Sequence, residues 1–164
     1  YKSQRSEYNQ FVKGRSFEFV PFEKTMAEEC LALFDAWRKD RREKHPEETY
    51  RHMLEDSRVV HETVLRQADA LGFTGRVVRV DGKIKAYTFG YPLSGWEFCI
   101  FLEIADVAID GLPTFIFREF CADAALDAYR FINCMDDFAM PDVQKTKMAF
   151  KPAVLWPVYT VTGR

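Results

Sequence analysis

The sequence predicts an α/β (α+β) domain, a mixed sheet with helices on both of its faces. Three observations lead there. Stretches of helical and of strand period succeed one another along 164 residues, a length that suits a single domain with a sizeable core. Three strand-like runs follow one another in the middle of the chain, joined by short turns. A helical stretch then separates the third run from a short fourth one, and strands joined through a helical crossover usually lie parallel.

Phe17 to Phe22 alternates aromatic and polar residues and reads as a first strand. Thr25 precedes Glu28 by three residues, the spacing of a capping box. The helix that follows lines up Met26, Cys30, Leu33, Phe34 and Trp37 on one face. It runs out through Arg38, Lys39, Asp40, Arg41, Arg42, Glu43 and Lys44, and basic residues suit the negative end of a helix dipole. Pro46 can open a second helix, because the N–H it lacks has no partner in a first turn. Val60, Val64, Ala68 and Leu71 form its stripe, Gly72 its cap, and polar Glu55 to Arg58 a place for a bend.

From Phe73 the period changes to two. Val77 to Val80 and Ile84 to Phe89 flank Asp81-Gly82, the strongest local signal for a hairpin. Trp96 to Ile104 alternates, with Trp96, Phe98, Ile100, Leu102 and Ile104 expected on one face. A helix is expected over Leu112 to Ala128, burying Ile116, Phe117, Phe120, Cys121 and Ala124. Phe131-Ile132 makes a short strand beside the one ending at Ile104. Pro141 opens a short helix with Val143, Lys145 and Lys147, and Val154 to Val161 is a closing strand. Residues 1–16, with Lys2, Arg5, Lys13 and Arg15 against Glu7, read as the remnant of a preceding element; residues 17–164 read as one domain.

Composition removes several classes. At 48% hydrophobic residues, with 15 Phe, the chain has what a packed core needs and intrinsic disorder lacks. A net charge of -2 decides nothing about nucleic acid, since a local basic face can hide in a neutral total. No apolar run approaches the roughly 20 residues of a membrane-spanning helix. Cys30, Cys99, Cys121 and Cys134 have no CxxC spacing and sit among apolar residues, as free thiols do in a reducing compartment. A cytoplasmic location, peripheral to a membrane at most, is expected. His45, His52 and His61 are distant from most of the cysteines, so no metal is expected.

The element order matches the fold of the GCN5-related N-acetyltransferases, where two strands splay apart and substrate sits in the gap. The residues sharpen this. Arg76-Val77-Val78-Arg79-Val80-Asp81-Gly82-Lys83-Ile84, then Ala86, Thr88, Gly90, Pro92 and Leu93, resembles the hairpin of the phosphatidylglycerol lysyltransferase C-terminal domain family. So do Ile132-Asn133, Asp136-Asp137, Lys145, Lys147, Phe150 and Pro152. The resemblance spans about Phe17 to Thr160. It implies an acyl or aminoacyl transferase, with lysyl-tRNA as donor, a membrane lipid as acceptor, and a second domain in tandem. Cys134, Met135 and Ala139 depart from the family pattern.

Acetyl-CoA users of this fold cradle a pyrophosphate on bare N–H groups where a helix starts after the third hairpin strand. Here that place reads Asp106, Val107, Ala108, Ile109, Asp110, Gly111, Leu112 and Pro113, with two carboxylates and no Arg or Lys. Acetyl-CoA is thus disfavoured, and no cofactor is expected beyond aminoacyl-tRNA as donor. Glu103 and Asp106 suit an aminoacyl ammonium, or a base for the acceptor hydroxyl. The plainer reading is that Glu103 alternates outward and Asp106 or Asp110 caps the next helix.

Asn133, Asp136 and Asp137 follow the neighbouring strand. Asn133 can hold a carbonyl or the oxyanion, and Asp137 can bind an amine, accept a proton or position Lys147; an Asx turn is the alternative. Glu103 and Asp137 are therefore the candidate catalytic residues, with Asp106, Asn133 and Lys147 as candidate substrate-binding residues. Lys145, Lys147 and Lys151, or the run from Arg38 to Lys44, can meet tRNA phosphates or an anionic lipid surface, or simply be solvated. Two further readings stand beside the aminoacyltransferase: a CoA-dependent N-acyltransferase, and a non-catalytic half packed on its tandem domain.

Overall fold

The computed structural model describes residues 2–44, 48–137, 140–157, 159 and 161–163. Its elements are α1 (Lys2–Gly14), β1 (Phe17–Pro21), α2 (Ala27–Lys44), α3 (Glu48–Gln67), β2 (Thr74–Val80), β3 (Lys83–Pro92), β4 (Glu97–Ala105), α4 (Leu112–Cys121), β5 (Phe131–Asn133) and α5 (Pro141–Ala149). The strands form one sheet in chain order, β1 to β5. The first three pairings are antiparallel and β4 with β5 is parallel, the result expected of a helical crossover. No helix among the described residues is long and apolar enough to cross a membrane.

The β2–β3 turn has Asp81 and Gly82 both at positive φ, 52° and 75°, the backbone that matches the twist of a two-residue hairpin. One face of the sheet packs on α2 and α3 through Cys30, Leu31, Phe34, Val64, Leu65, Val77, Tyr87, Leu102 and Ile104. The other packs on α1 and α4 through Phe11, Val78, Val80, Ala86, Ala105, Phe115 and Ile116. Helices do cover both faces. Within 1–16, α1 contributes Phe11 at 1% exposure to this second layer, its ring 4.7 Å from that of Phe115.

Several local expectations are corrected. A 3₁₀ turn, Lys24–Met26, precedes α2, and no side chain caps its start. Glu28, expected in a capping box, instead reaches Arg66 on α3 at 3.0 Å. Helix α3 runs unbroken through Glu55 to Arg58, where Arg58 is braced by Asp35 and Glu62. Its buried face is Leu54, His61, Val64 and Leu65, with Ala68 beyond its end, whereas Val60 and Leu71 are exposed. Pro46, the expected start of α3, and Ala139 lie outside the described residues. Helix α4 stops at Cys121 because Asp123 starts a new 3₁₀ turn, accepting from the Ala125 N–H, and pairs with Arg76 at 2.6 Å. Ala124 is consequently exposed. Among the described residues of Val154 to Val161 there is no strand, and Leu155, Trp156 and Tyr159 are exposed.

The correction with most consequence lies in β4. Phe89 pairs with Leu102 but the next residue, Gly90, pairs with Ile100, so Phe101 is an extra residue in the strand. Such a bulge moves everything beyond it to the opposite face. Phe98 and Ile100 therefore pack on Phe120 and Leu126, while Leu102 and Ile104 pack against α2 and α3. Gly90 permits this crowding: a Cβ there would run into the Phe98 ring and the Cys99 carbonyl oxygen.

Candidate functional site

Strand β5 pairs with β4 over three positions only, Glu97–Phe131, Phe98–Ile132 and Cys99–Asn133. Beyond them β4 continues to Ala105 with β3 alone, and the chain after Asn133 turns away. The two strands thus part after Cys99, and the half of β4 that follows has no strand paired on that edge.

The bulge aims Glu103 into this region. Alternation from Phe98 would place Glu103 outward; with Phe101 inserted, it shares the face of Phe98 and Ile100, toward α4. Its carboxyl neighbours the thiols of Cys121, at the end of α4, and Cys134, after β5; burial above all raises both, and the Glu103 charge adds to it. The residue keeps partial exposure, yet its Oε2 is shut off from solvent and has no hydrogen-bond partner. Thr88 stands opposite it on β3, 0% exposed, with its Oγ1 equally unpartnered. Burial pushes the Glu103 carboxyl up to about 8, and the nearby Thr88 hydroxyl opposes this more weakly.

Asn133 and Lys147 shape the loop that leaves β5. The Asn133 Nδ2 donates to Glu97 at 2.8 Å, and its Oδ1 accepts from the Met135 N–H at 2.7 Å, an Asx turn. Met135 sits at φ 61°. The Lys147 Nζ donates to the carbonyls of Cys134, Met135 and Asp136 at 2.5, 3.2 and 2.6 Å. Burial holds Lys147 below its ordinary value, with Cys134, Asp136 and Asp137 pulling the other way. Asp137 is half-buried on this loop, its carbonyl accepting from the Met140 N–H.

Asp106 serves the turn after β4. It pairs with Lys85 at 2.9 Å and accepts from the Ala108 N–H. Partial burial works to raise its carboxyl, but Lys85 and that N–H prevail and hold it below the ordinary value. Glu103, Asn133, Asp137 and Lys147 thus gather around the parting strands, and Asp106 lies at the far end of β4. Pattern reading gave no site role to Thr88, Glu97 or Glu7. Gly90, an isolated glycine within a strand, was the available signal for the bulge.

The start of α4 does not fit a pyrophosphate. Gly111 is at φ 80°, and a Cβ there would strike the Glu7 carbonyl of α1. The Glu7 carboxylate accepts from the Thr114 hydroxyl at 2.8 Å, in the first turn of α4. With Pro113 removing a donor, the helix end offers a carboxylate where an anionic ligand would need bare N–H groups. The basic run of α2 is also engaged: Arg38 pairs with Asp35, Arg42 with Glu55, Lys44 with Asp40, and Arg41 lies over the Trp37 ring.

Comparison with known proteins agrees with this architecture. A conserved protein of unknown function from Bacteroides thetaiotaomicron is 30% identical, with a TM-score of 0.83 over 94% of this chain and 50% of that one. This chain therefore spans about half the length of that relative. A ribosomal-protein-alanine N-acetyltransferase from Brucella melitensis biovar Abortus superposes at TM-score 0.61 and 13% identity, over 91% of this chain and 100% of that one. An aminoglycoside N-acetyltransferase in complex with CoA does so at 0.56 and 15%, over 92% and 97%. These two likenesses establish the acetyltransferase-type fold. No curated protein matches. The family model described as phosphatidylglycerol lysyltransferase, C-terminal, matches residues 1–162, and the chain belongs to that family.

Proposed function

We propose that the domain is an acyltransferase that moves an aminoacyl group, lysyl from its tRNA in the reading the family favours, onto a lipid hydroxyl or another nucleophile. One observation carries the proposal: the Glu103 carboxyl, enclosed and unpartnered at Oε2, beside the place where β4 outruns β5. A titratable group so displaced and placed at a cleft suits proton transfer.

In this reading the acceptor O–H or N–H attacks the carbonyl carbon of the aminoacyl ester and gives its proton to Glu103. The bond to the ribose oxygen then breaks, and that oxygen recovers the proton. Main-chain N–H groups on the edge of β4 beyond Cys99 face the developing oxyanion. Asp137 receives the amine of the aminoacyl group. Asn133 and Lys147, their donors engaged by Glu97 and by three carbonyls, keep the gap open. Asp106 supports the turn. The α4 start, occupied by Glu7, speaks against acetyl-CoA as the donor. Exposed Lys145 and Lys151 suit tRNA phosphates or an anionic lipid surface.

The test is transfer of labelled lysine from lysyl-tRNA to phosphatidylglycerol vesicles. Glu103→Gln should lower the rate by about 10²- to 10⁴-fold. Undiminished transfer by that variant, or none by the parent with any aminoacyl-tRNA, overturns the proposal.

A second reading, the non-catalytic half of a tandem pair, has its own support. Trp96 and Trp156 are 46% and 62% exposed and lie 6.2 Å apart, Trp96 also against Phe131, and Leu93 and Leu155 are exposed as well. An apolar surface of this kind suits a packed neighbour. Light scattering decides: self-association relieved by Trp156→Ser favours it, and a monodisperse monomer does not.

A further inference from the structure

We propose that Thr88 is a positioning residue for Glu103, its hydroxyl being the donor that holds the carboxylate once it is ionised. The inference rests on the reading of Glu103 as the proton acceptor. Its own basis is geometric. Thr88 and Glu103 occupy facing positions in the β3–β4 register, where side chains of an antiparallel pair come into contact. Thr88 is completely buried, and neither its Oγ1 nor the Glu103 Oε2 has a hydrogen-bond partner.

Buried polar atoms of native proteins are nearly always satisfied. Two orphans in one register position point to a bond made in another state of the site. A hydroxyl can donate to a carboxylate, and the bond is strongest when the acceptor is charged. While Glu103 is protonated the demand is weak, and it appears when the proton leaves.

The groups around Glu103 leave this role to Thr88. From α4 it meets Cys121, and after β5 it meets Cys134, thiols that burial pushes up to about 12 and about 11. Both stay neutral at physiological pH and are poor hydrogen-bond donors. Lys147, the cation bordering this loop, spends its protons on three carbonyls. Asp106 is held by Lys85 at the end of the strand. The hydroxyl from β3 is the strong neutral donor opposite the carboxyl.

The test uses the intact chain with ¹³C-labelled glutamate, as parent, Thr88→Val and Thr88→Ser. Valine keeps the branched shape and removes the hydroxyl; serine keeps the hydroxyl. NMR titration of the Glu103 carboxyl should place its midpoint about one pH unit higher in Thr88→Val, leaving roughly tenfold less carboxylate at pH 7. The alkaline shift should recur in the pH profile of kcat/KM for aminoacyl transfer, and Thr88→Ser should restore both. A midpoint in Thr88→Val equal to the parent's overturns the inference, as does an equal shift in Thr88→Ser. A Glu103 midpoint that follows the hydroxyl while no variant transfers anything upholds the inference and sinks the proposed function. Normal transfer with an unmoved midpoint does the reverse.

Discussion

Replacing Glu103 by Gln should stabilise the protein, and more so as pH rises. In the folded state burial lifts the carboxyl from its ordinary 4.5 to about 8; in the unfolded chain it returns to the ordinary value. Below about pH 4.5 both states hold the proton and there is no net effect. Between 4.5 and 8 the folded protein keeps a proton that the unfolded chain releases. Stability therefore declines with pH, by about 1.4 kcal/mol per unit from this one group, and levels off above 8. A displacement of this size corresponds to roughly 5 kcal/mol at most. That would be a large part of the stability of an ordinary domain. Gln fills the same space and does not titrate, so this decline should be missing from its profile. Urea unfolding followed by tryptophan fluorescence from pH 5 to 9 measures both proteins. The gap between them should widen to pH 8 and then hold steady, because the neighbouring thiols titrate only at about 11 and 12. Two curves that run parallel across the whole range would mean that Glu103 ionises without penalty, and both its burial and its proposed role would be wrong.

Other outcomes follow from contacts elsewhere in the molecule. Tyr87→Phe removes the 2.7 Å hydrogen bond to Nδ1 of buried His61 and should cost about 1–3 kcal/mol in denaturant unfolding. Burial pushes His61 down to about 4, so the parent should lose stability as pH falls from 6.5 toward 4, where the unfolded chain takes a proton that the folded one refuses. Gly90→Ala should destabilise by about 3 kcal/mol, since a Cβ meets the Cys99 carbonyl and the Phe98 ring; near-native unfolding would refute the tight bulge. Lys147→Met strips a donor from three carbonyls of the loop after β5, and should speed amide exchange across residues 134–136 and lower transfer at least tenfold.

Much of the scaffold was legible in the residues, for local reasons. Asp81-Gly82 names its own turn, because both positions need positive φ. The apolar spacing of α2 and the run of β-formers from Val77 to Phe89 show through without knowledge of their partners. The candidate site was legible as a set of names without roles. Asn133 and Lys147 were recognisable as polar residues after a strand and on a helix. That they spend themselves on Glu97 and on loop carbonyls depends on groups 36 and 11 to 13 residues away. The capping box failed in the same way: Glu28 had a stronger long-range partner in Arg66.

Apart from α1, which it did not announce, and a closing strand that the described residues do not form, the chain by itself determined the order of helices and strands, the hairpin, the parallel return after α4 and, through its motifs, the family. Those features arise from backbone preferences and apolar periods that act within a few residues. Tertiary structure alone decided where Glu103 points. Alternation sends it outward, but one extra residue at Phe101, admitted because Gly90 has no side chain, carries it to the face toward α4. A strand has a period of two, so a single-residue slip exchanges its faces, and only the partner strand registers the slip.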